Sequence, residues 1–254
     1  MGAKWFGASV RRKEDPAFLR GKGRYIDDIE LPDMLHAAFV RSPHAHAKIG
    51  RIDKSAALGV PGVHALLAYS DLPDVVRRQM LPLLVPHPSI KQPFLPYALA
   101  KDETCYVGEP VACVVARNRY IAEDAAQLVE VEYEPLPAVS DCRAALEQGA
   151  PLAHLGSDSN VAAQFPVSVG DTDGAFRGAA HVFRENILQH RGGAFFMECR
   201  GAIAHYEAAT QSYTLYVSSQ GPHRIKRCML DMFELGDNQV RVVTPDVGGG
   251  FGPK

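Results

Sequence analysis

The sequence predicts a chain that mixes strands with helices, as an α+β or an α/β fold, and three observations carry that prediction. Residues 111–116 (VACVVA) are almost wholly apolar, as expected for a strand covered on both faces. Directly behind them, residues 120–128 have helical spacing, with Ile121, Ala125 and Leu128 on one side. Glycine (22) and proline (18) are plentiful, which calls for many short elements joined by defined turns.

The elements follow in chain order. Residues 1–18 read as an extended arm, because Gly7, Pro16 and mixed charges discourage a long helix. Trp5 and Phe6 are its candidate anchors, on this chain or on another surface. Residues 19–138 read as one compact unit, opened by the turn Gly21-Lys22-Gly23. Within it, residues 35–40 (LHAAFV) and 63–69 (VHALLAY) read as strands. Residues 129–133 alternate like a half-buried strand, which Pro135 and Pro137 then end. Between them, Pro73, Pro82, Pro86, Pro88, Pro93 and Pro96 remove backbone donors and fix φ, so residues 72–100 read as an ordered irregular loop. Residues 139–159 read as a short helix and a linker, and a second unit spans 160–254. There, Asp171 or Thr172 is placed to cap a short helix. Residues 182–188, 201–206, 213–219 and 240–243 read as strands. Pro222 starts a helix to Phe233 with Ile225, Met229, Met232 and Phe233 as its apolar face.

Composition narrows the function classes. A hydrophobic share of 46% over 254 residues supports real cores, as two domains or as one domain and part of another. The 27 basic and 29 acidic side chains nearly cancel, which argues against a nucleic-acid surface. Arg11, Arg12 and Lys13 are followed at once by Glu14 and Asp15. The five cysteines are widely spaced and form no CxxC, so neither an iron–sulfur cluster nor a structural zinc is expected from them, and their usage fits a reducing compartment. No long apolar run opens the chain, so neither a signal peptide nor a membrane span is expected, and the expected location is cytoplasmic.

The sharpest chemical signal is Val247-Gly248-Gly249-Gly250-Phe251-Gly252-Pro253-Lys254. Glycine costs conformational entropy, so a cluster after a strand makes sense where backbone turns tightly or approaches a ligand. Successive bare N–H groups then surround an anion or a metal-bound oxygen. The run is neither GxGxxG nor a phosphate-binding GxxxxGK[ST] loop, and a purely structural turn is the alternative. A second signal, Ser218-Ser219-Gln220, closes a predicted strand just before Gly221 and Pro222. Glutamine there both donates and accepts, although a satisfied loop side chain is the ordinary reading.

Together these segments resemble the xanthine dehydrogenase and aldehyde oxidase family of molybdenum hydroxylases, which includes the large subunit of aerobic carbon monoxide dehydrogenase. GGGFG with Lys254 resembles that family's molybdenum-cofactor loop, and Gln220, 31 positions before Phe251, matches its active-site glutamine. Residues 21–29 (GKGRYIDDI), 39–47 (FVRSPHAHA) and 106–112 (YVGEPVA) resemble three further signatures in the family's order. The resemblance implies an α+β architecture, with an α/β hammerhead domain over 19–138 and the beginning of the first molybdopterin-binding domain over 160–254. It implies a molybdenum-pyranopterin cofactor, in the cytosine dinucleotide form usual in bacterial relatives, with [2Fe–2S] clusters and often FAD in partner domains or subunits. Gln220 would hydrogen-bond an oxygen ligand of the metal without acting as general base. Gly250, Phe251 and Gly252 would approach the outer ligands, Gly248 and Gly249 would let the chain turn, and no residue here would ligate the metal directly. Phe251 has a second option, as a wall of the substrate channel or as core. The expected substrate is an N-heterocycle or an aldehyde; carbon monoxide oxidation and a non-catalytic assembly or cofactor-delivery role are the alternatives. The family's general base, a glutamate, lies far beyond residue 254, so a complementary C-terminal chain or downstream segment is expected, with iron–sulfur and FAD subunits as partners.

Several residues read as decoys. Glu198, in Phe196-Met197-Glu198-Cys199, reads as structural support rather than as a base. His44 and His46 form an HxH pair with no carboxylate or cysteine close in sequence, so zinc is not assigned to them. His190, Arg191 and His223 are secondary candidates for a pocket, and Cys199 and Cys228 read as small buried apolar groups.

Overall fold

The computed structural model describes residues 6–83, 86–92, 94–189 and 192–254. The chain forms two compact units, one of Met1–Pro32 with Gly192–Lys254 and one of Asp33–Arg191. Trp5, Pro93, His190 and Arg191, singled out from the sequence, lie outside the described residues. Phe6 is almost fully exposed, so it packs on little among the described residues. Where the arm was expected to stay extended, α1 (Asp15–Phe18) makes one helical turn, with Pro16 in its first turn, where a missing N–H costs nothing.

The Asp33–Arg191 unit is built on two three-stranded antiparallel sheets. Its strands are β1 (His36–Arg41), β2 (Ala47–Asp53), β3 (Val63–Ala68), β4 (Glu103–Thr104), β5 (Pro110–Ala116) and β6 (Glu130–Pro135). One sheet runs β1-β5-β3 and the other β4-β2-β6. The apolar run is the centre of the first sheet: both flanks are paired, and Ala112, Val114 and Ala116 are wholly buried on one face, while Cys113 and Val115 on the other are only partly covered. Short helices α2 (Ser55–Leu58) and α3 (Asp74–Arg77) precede α4 (Arg119–Gln127), whose start is capped by Asn118 accepting from Ile121 N at 2.9 Å. Ala57, Leu66, Ala112, Val114, Ala125 and Val129 form the core. The helix turns a slightly different face inward than its spacing predicts. Ala122 joins Ala125 in the interior, while Leu128, at the helix end, is 45% exposed. The predicted short helix in 139–159 is reduced to one 3-10 turn over Ala144–Leu146.

Farther along, α5 (Thr172–Gly178) is capped by Asp171, which accepts from Gly174 N at 2.8 Å. The strand expected over 182–188 does not form. Its backbone finds no neighbouring strand among the described residues, and Phe183, Ile187 and Leu188 stand exposed. The other unit carries β7 (Ala202–Glu207), β8 (Ser212–Val217), α6 (Pro222–Phe233) and β9 (Val240–Val243). β7 pairs antiparallel with β8, and β8 pairs parallel with β9, so the chain must cross over between β8 and β9, and α6 is that crossover. Met232 is the buried residue of α6, with Ile225 and Met229 partly buried beside it; Phe233, at the helix end, is 37% exposed. Among the described residues, no helix is long and apolar enough to cross a membrane.

Candidate functional site

The parallel β8 and β9 end on the same side of their sheet, and each runs directly into one of the two signals read from the sequence. β8 leads through buried Ser218 and Ser219 to Gln220, and β9 leads through Thr244, Pro245 and Asp246 to the glycine run. Ligand-contacting loops of parallel sheets gather at the strands' carboxyl ends, which is where this pair sits.

The two segments touch. Gly252 N donates to Gln220 Oε1 at 2.9 Å. That bond fixes the amide's orientation, and Gln220 Nε2, which carries two donors, has no partner among the described residues. Gly250 lies so close to Gln220 that an added Cβ would fall 2.4 Å from its Cδ and 2.6 Å from its Oε1. Gly249 and Gly252 have φ of +95° and +97°, a conformation open to glycine and strained for other residues. Phe251 nevertheless adopts φ of +51° and exposes 68% of its surface. An exposed aromatic held in the left-handed region costs on the order of 1 kcal/mol and marks a segment shaped by something other than its own packing.

Glu198 anchors the loop from behind. Its Oε2 accepts from Gly248 N at 2.8 Å, from Ser218 Oγ at 2.6 Å and from Lys254 Nζ at 2.8 Å, and its Oε1 accepts from Ile26 N at 3.3 Å. Glu198 N in turn donates to Gly248 O at 3.2 Å. Burial acts to raise this carboxyl. The hydrogen bonds from Lys254, Ser218, Gly248 and Ile26 outweigh burial and hold it down at about 2. An acid ionised so far below neutral pH is a poor proton acceptor, so the geometry agrees with a structural role for Glu198. Lys254 Nζ also lies 4.7 Å over the Phe196 ring, and its side chain is fully buried. This Glu198–Lys254 pair was not legible beforehand, because 56 positions separate its members.

The remaining sequence candidates go elsewhere. His223 is exposed in the first turn of α6, and Cys199 is exposed rather than buried because it follows Glu198 on an unpaired segment. Cys228 is half-buried on α6. His44 packs edge-on against Tyr133 at 5.0 Å, whereas His46 is buried. Cys105 has its thiol pushed up to about 12 by burial, with the Glu103 and Glu109 carboxylates adding to the effect, so it is not a thiolate nucleophile at neutral pH.

Comparison with known proteins gives the family. Residues 20–137 match the family described as "Aldehyde oxidase and xanthine dehydrogenase, a/b hammerhead domain", and residues 154–254 match "Molybdopterin cofactor-binding domain". The chain belongs to the xanthine dehydrogenase and aldehyde oxidase family of molybdenum hydroxylases. It is 41% identical over 248 residues to the nicotine 6-hydroxylase large subunit of Paenarthrobacter nicotinovorans, covering 98% of this chain and 30% of that one. It is 35% identical over 255 residues to the carbon monoxide dehydrogenase large chain of Hydrogenophaga pseudoflava, covering 95% and 31%. Among solved structures, quinoline 2-oxidoreductase from Pseudomonas putida 86 superposes with a TM-score of 0.85 at 40% identity, over 97% of this chain and 31% of that one. The chain thus spans about three-tenths of the length of the curated relatives it matches. It is a cofactor-binding portion of an oxidoreductase of this family, with the α+β hammerhead architecture followed by the start of the molybdopterin-binding domain.

Proposed function

We propose that Gln220 and the Gly248, Gly249, Gly250, Phe251 and Gly252 backbone form one wall of the molybdenum-pyranopterin site. In this reading, the chain serves a hydroxylase that oxidises a carbon centre in an N-heterocycle or an aldehyde. The observation that carries the proposal is the close approach of Gly250 to Gln220, with Gly252 N fixing the amide at 2.9 Å. The residues fit the group. The loop presents main-chain amides with no side chains to fill the space, Gln220 Nε2 is unpartnered among the described residues, and Thr244 Oγ1, just ahead of the loop, is a buried hydroxyl without a partner among them. When bound, the cofactor supplies the two-electron redox chemistry and the oxygen-transfer site.

The chain's own residues orient and polarise. Gln220 would help to hold the cofactor as a donor through Nε2, and because its Oε1 is held by Gly252 that donor is oriented before substrate arrives. Each neutral donor of this kind contributes about 1–3 kcal/mol, the cost of leaving such a group unmet. Glu198 holds Gly248 in place and moves no proton. Residues 19–138 serve as the hammerhead, behind the arm of 1–18, and 160–254 as the front of the cofactor-binding domain, joined through 139–159. A complementary C-terminal segment or chain supplies the base, and iron–sulfur and FAD subunits carry the electrons away, with the cofactor in its cytosine dinucleotide form and the assembly in the cytoplasm. Exposed Phe165, Val167, Phe183 and Ile187 in one unit, and Phe195 and Met197 in the other, are apolar side chains that such partners would cover.

The N-heterocycle preference rests on likeness to proteins named for nicotine and quinoline, both nitrogen-ring compounds, at 41% and 40% identity. The 35% identity to a carbon monoxide dehydrogenase large chain favours that reaction as the second reading, separated by assaying the assembled enzyme with carbon monoxide and with heterocycles. The test of the site is Gln220→Ala in the assembled enzyme. Turnover should fall by about 10²-fold, the scale seen when one preorganised donor is lost, while molybdenum content stays near wild type. Full turnover at normal molybdenum loading would remove Gln220 from the site.

A further inference from the structure

In the Asp33–Arg191 unit, the pairing of β4 with the start of β2 gathers two histidines, a glutamate and a cysteine from distant parts of the chain. Ala47 faces Thr104 and Lys48 faces Glu103, which sets His46 beside Glu103 and Cys105. The ligand atoms of these three residues all lie within 4.8 Å of one another. A fourth, His154 Nδ1, lies 3.3 Å from Cys105 Sγ, on a ring stacked against Phe94 at 4.4 Å. Glu103 is itself oriented, because Leu155 N donates to both its carboxylate oxygens at 2.9 Å.

Hydrogen-bond accounting shows what the cluster lacks. His46 Nδ1 faces the carbonyl oxygen of Pro137 at 3.2 Å, and a carbonyl only accepts, so Nδ1 carries the proton. His46 Nε2 then presents its lone pair to Glu103 Oε2 at 2.8 Å. The imidazole is 6% exposed, so this contact is shielded from water, and a cation held beside it would be met by both Nε2 and the carboxylate. The Nδ1–H bond to a backbone carbonyl is the outer contact that orients metal-binding histidines. Cys105 Sγ, hydrogen-bonded to His154 Nδ1 at 3.3 Å, sets a third ligand atom beside the same pair. Buried Glu109, accepting from Cys105 N at 2.6 Å, adds negative potential nearby. Glu103, Cys105 and His154 also line a cavity of about 600 Å³, which gives an ion a route in.

We propose that His46, Glu103 and Cys105 bind a divalent cation of the zinc class, tying β2 and β4 together, with His154 orienting Cys105. An imidazole, a carboxylate and a thiol that gives up its proton on binding suit a borderline-soft ion with one further position open; calcium and magnesium prefer oxygen-only sets. The site is built wholly from the Asp33–Arg191 unit and stands whether or not Gln220 contacts molybdenum.

The test uses the full chain in its assembled form, treated with a chelator, equilibrated with zinc, desalted and analysed for zinc and molybdenum together. The wild type should hold about one zinc per chain, and His46→Gln and Cys105→Ser should each lower zinc affinity by about 10–100-fold with molybdenum unchanged. Cobalt loading of the wild type, which needs no variant to fold, should give a thiolate-to-cobalt charge-transfer band. No retained zinc in the wild type, zinc unaffected by both substitutions, or cobalt bound without the thiolate band would each overturn the proposal.

Discussion

Gly250→Ala is a clean steric probe of the site. Its φ lies outside the left-handed region, so alanine brings no backbone penalty, and the only consequence is the added carbon. That carbon would sit 2.4 Å from Gln220 Cδ, 2.5 Å from Cγ and 2.6 Å from Oε1. Ordinary contact begins near 3.4 Å, so the glutamine must retreat by about 1 Å, which breaks the 2.9 Å bond to Gly252 N. Because Gln220 is exposed and flexible, stability should fall by only about 0.5–1.5 kcal/mol, the net worth of one hydrogen bond. Catalysis should suffer more, since a 1 Å misplacement in a preorganised site costs about 10²-fold. The assay is single-turnover reduction of the assembled enzyme by substrate, normalised to molybdenum. Gln220→Ala combined with Gly250→Ala should be no slower than either alone, because both remove the same donor. Unchanged turnover in Gly250→Ala, or fully additive losses in the double variant, would refute the coupling.

Other outcomes follow from the same geometry. Gly248→Ala should cost about 1–3 kcal/mol in urea unfolding, because its Cβ would meet Glu198 Cβ at 2.4 Å and Glu198 backbone at 3.3 Å, and backbone has little room to yield. Glu198→Gln should destabilise near neutral pH: a carboxyl moved from 4.5 to about 2 is worth up to about 3 kcal/mol, and about 2 kcal/mol once partial solvent access is allowed for. Because the folded value is depressed, this advantage is complete above about pH 4.5 and fades as pH falls toward 2; a difference from wild type that stays constant across that window would contradict it. Asn118→Ala should cost about 1 kcal/mol by removing the cap of α4, read from its thermal midpoint.

The sequence was most legible where one local cause sufficed. The fully apolar run became the central strand β5, Pro222 did start α6, and the stretches 201–206 and 240–243 became β7 and β9 within a residue. It misled where a partner decides. Residues 182–188 have strand composition, yet a strand needs a neighbour that the described chain does not offer. β2 went unread because Lys48, Arg51 and Asp53 break its apolar pattern, and its place is set by pairing with β6 and β4. At the site, the glycine run and Gln220 stood out as residue types. The Glu198–Lys254 pair and the His46–Glu103–Cys105 cluster did not, because their members meet through folding rather than spacing.

The most direct test is where the metal sits. In crystals of the assembled enzyme, an anomalous difference map recorded at the molybdenum absorption edge should place its strongest peak on the side of the loop reached by Gln220 Nε2 and the amides of Gly250 and Phe251. A peak remote from both segments, with Gln220 still bonded to Gly252, would contradict the account.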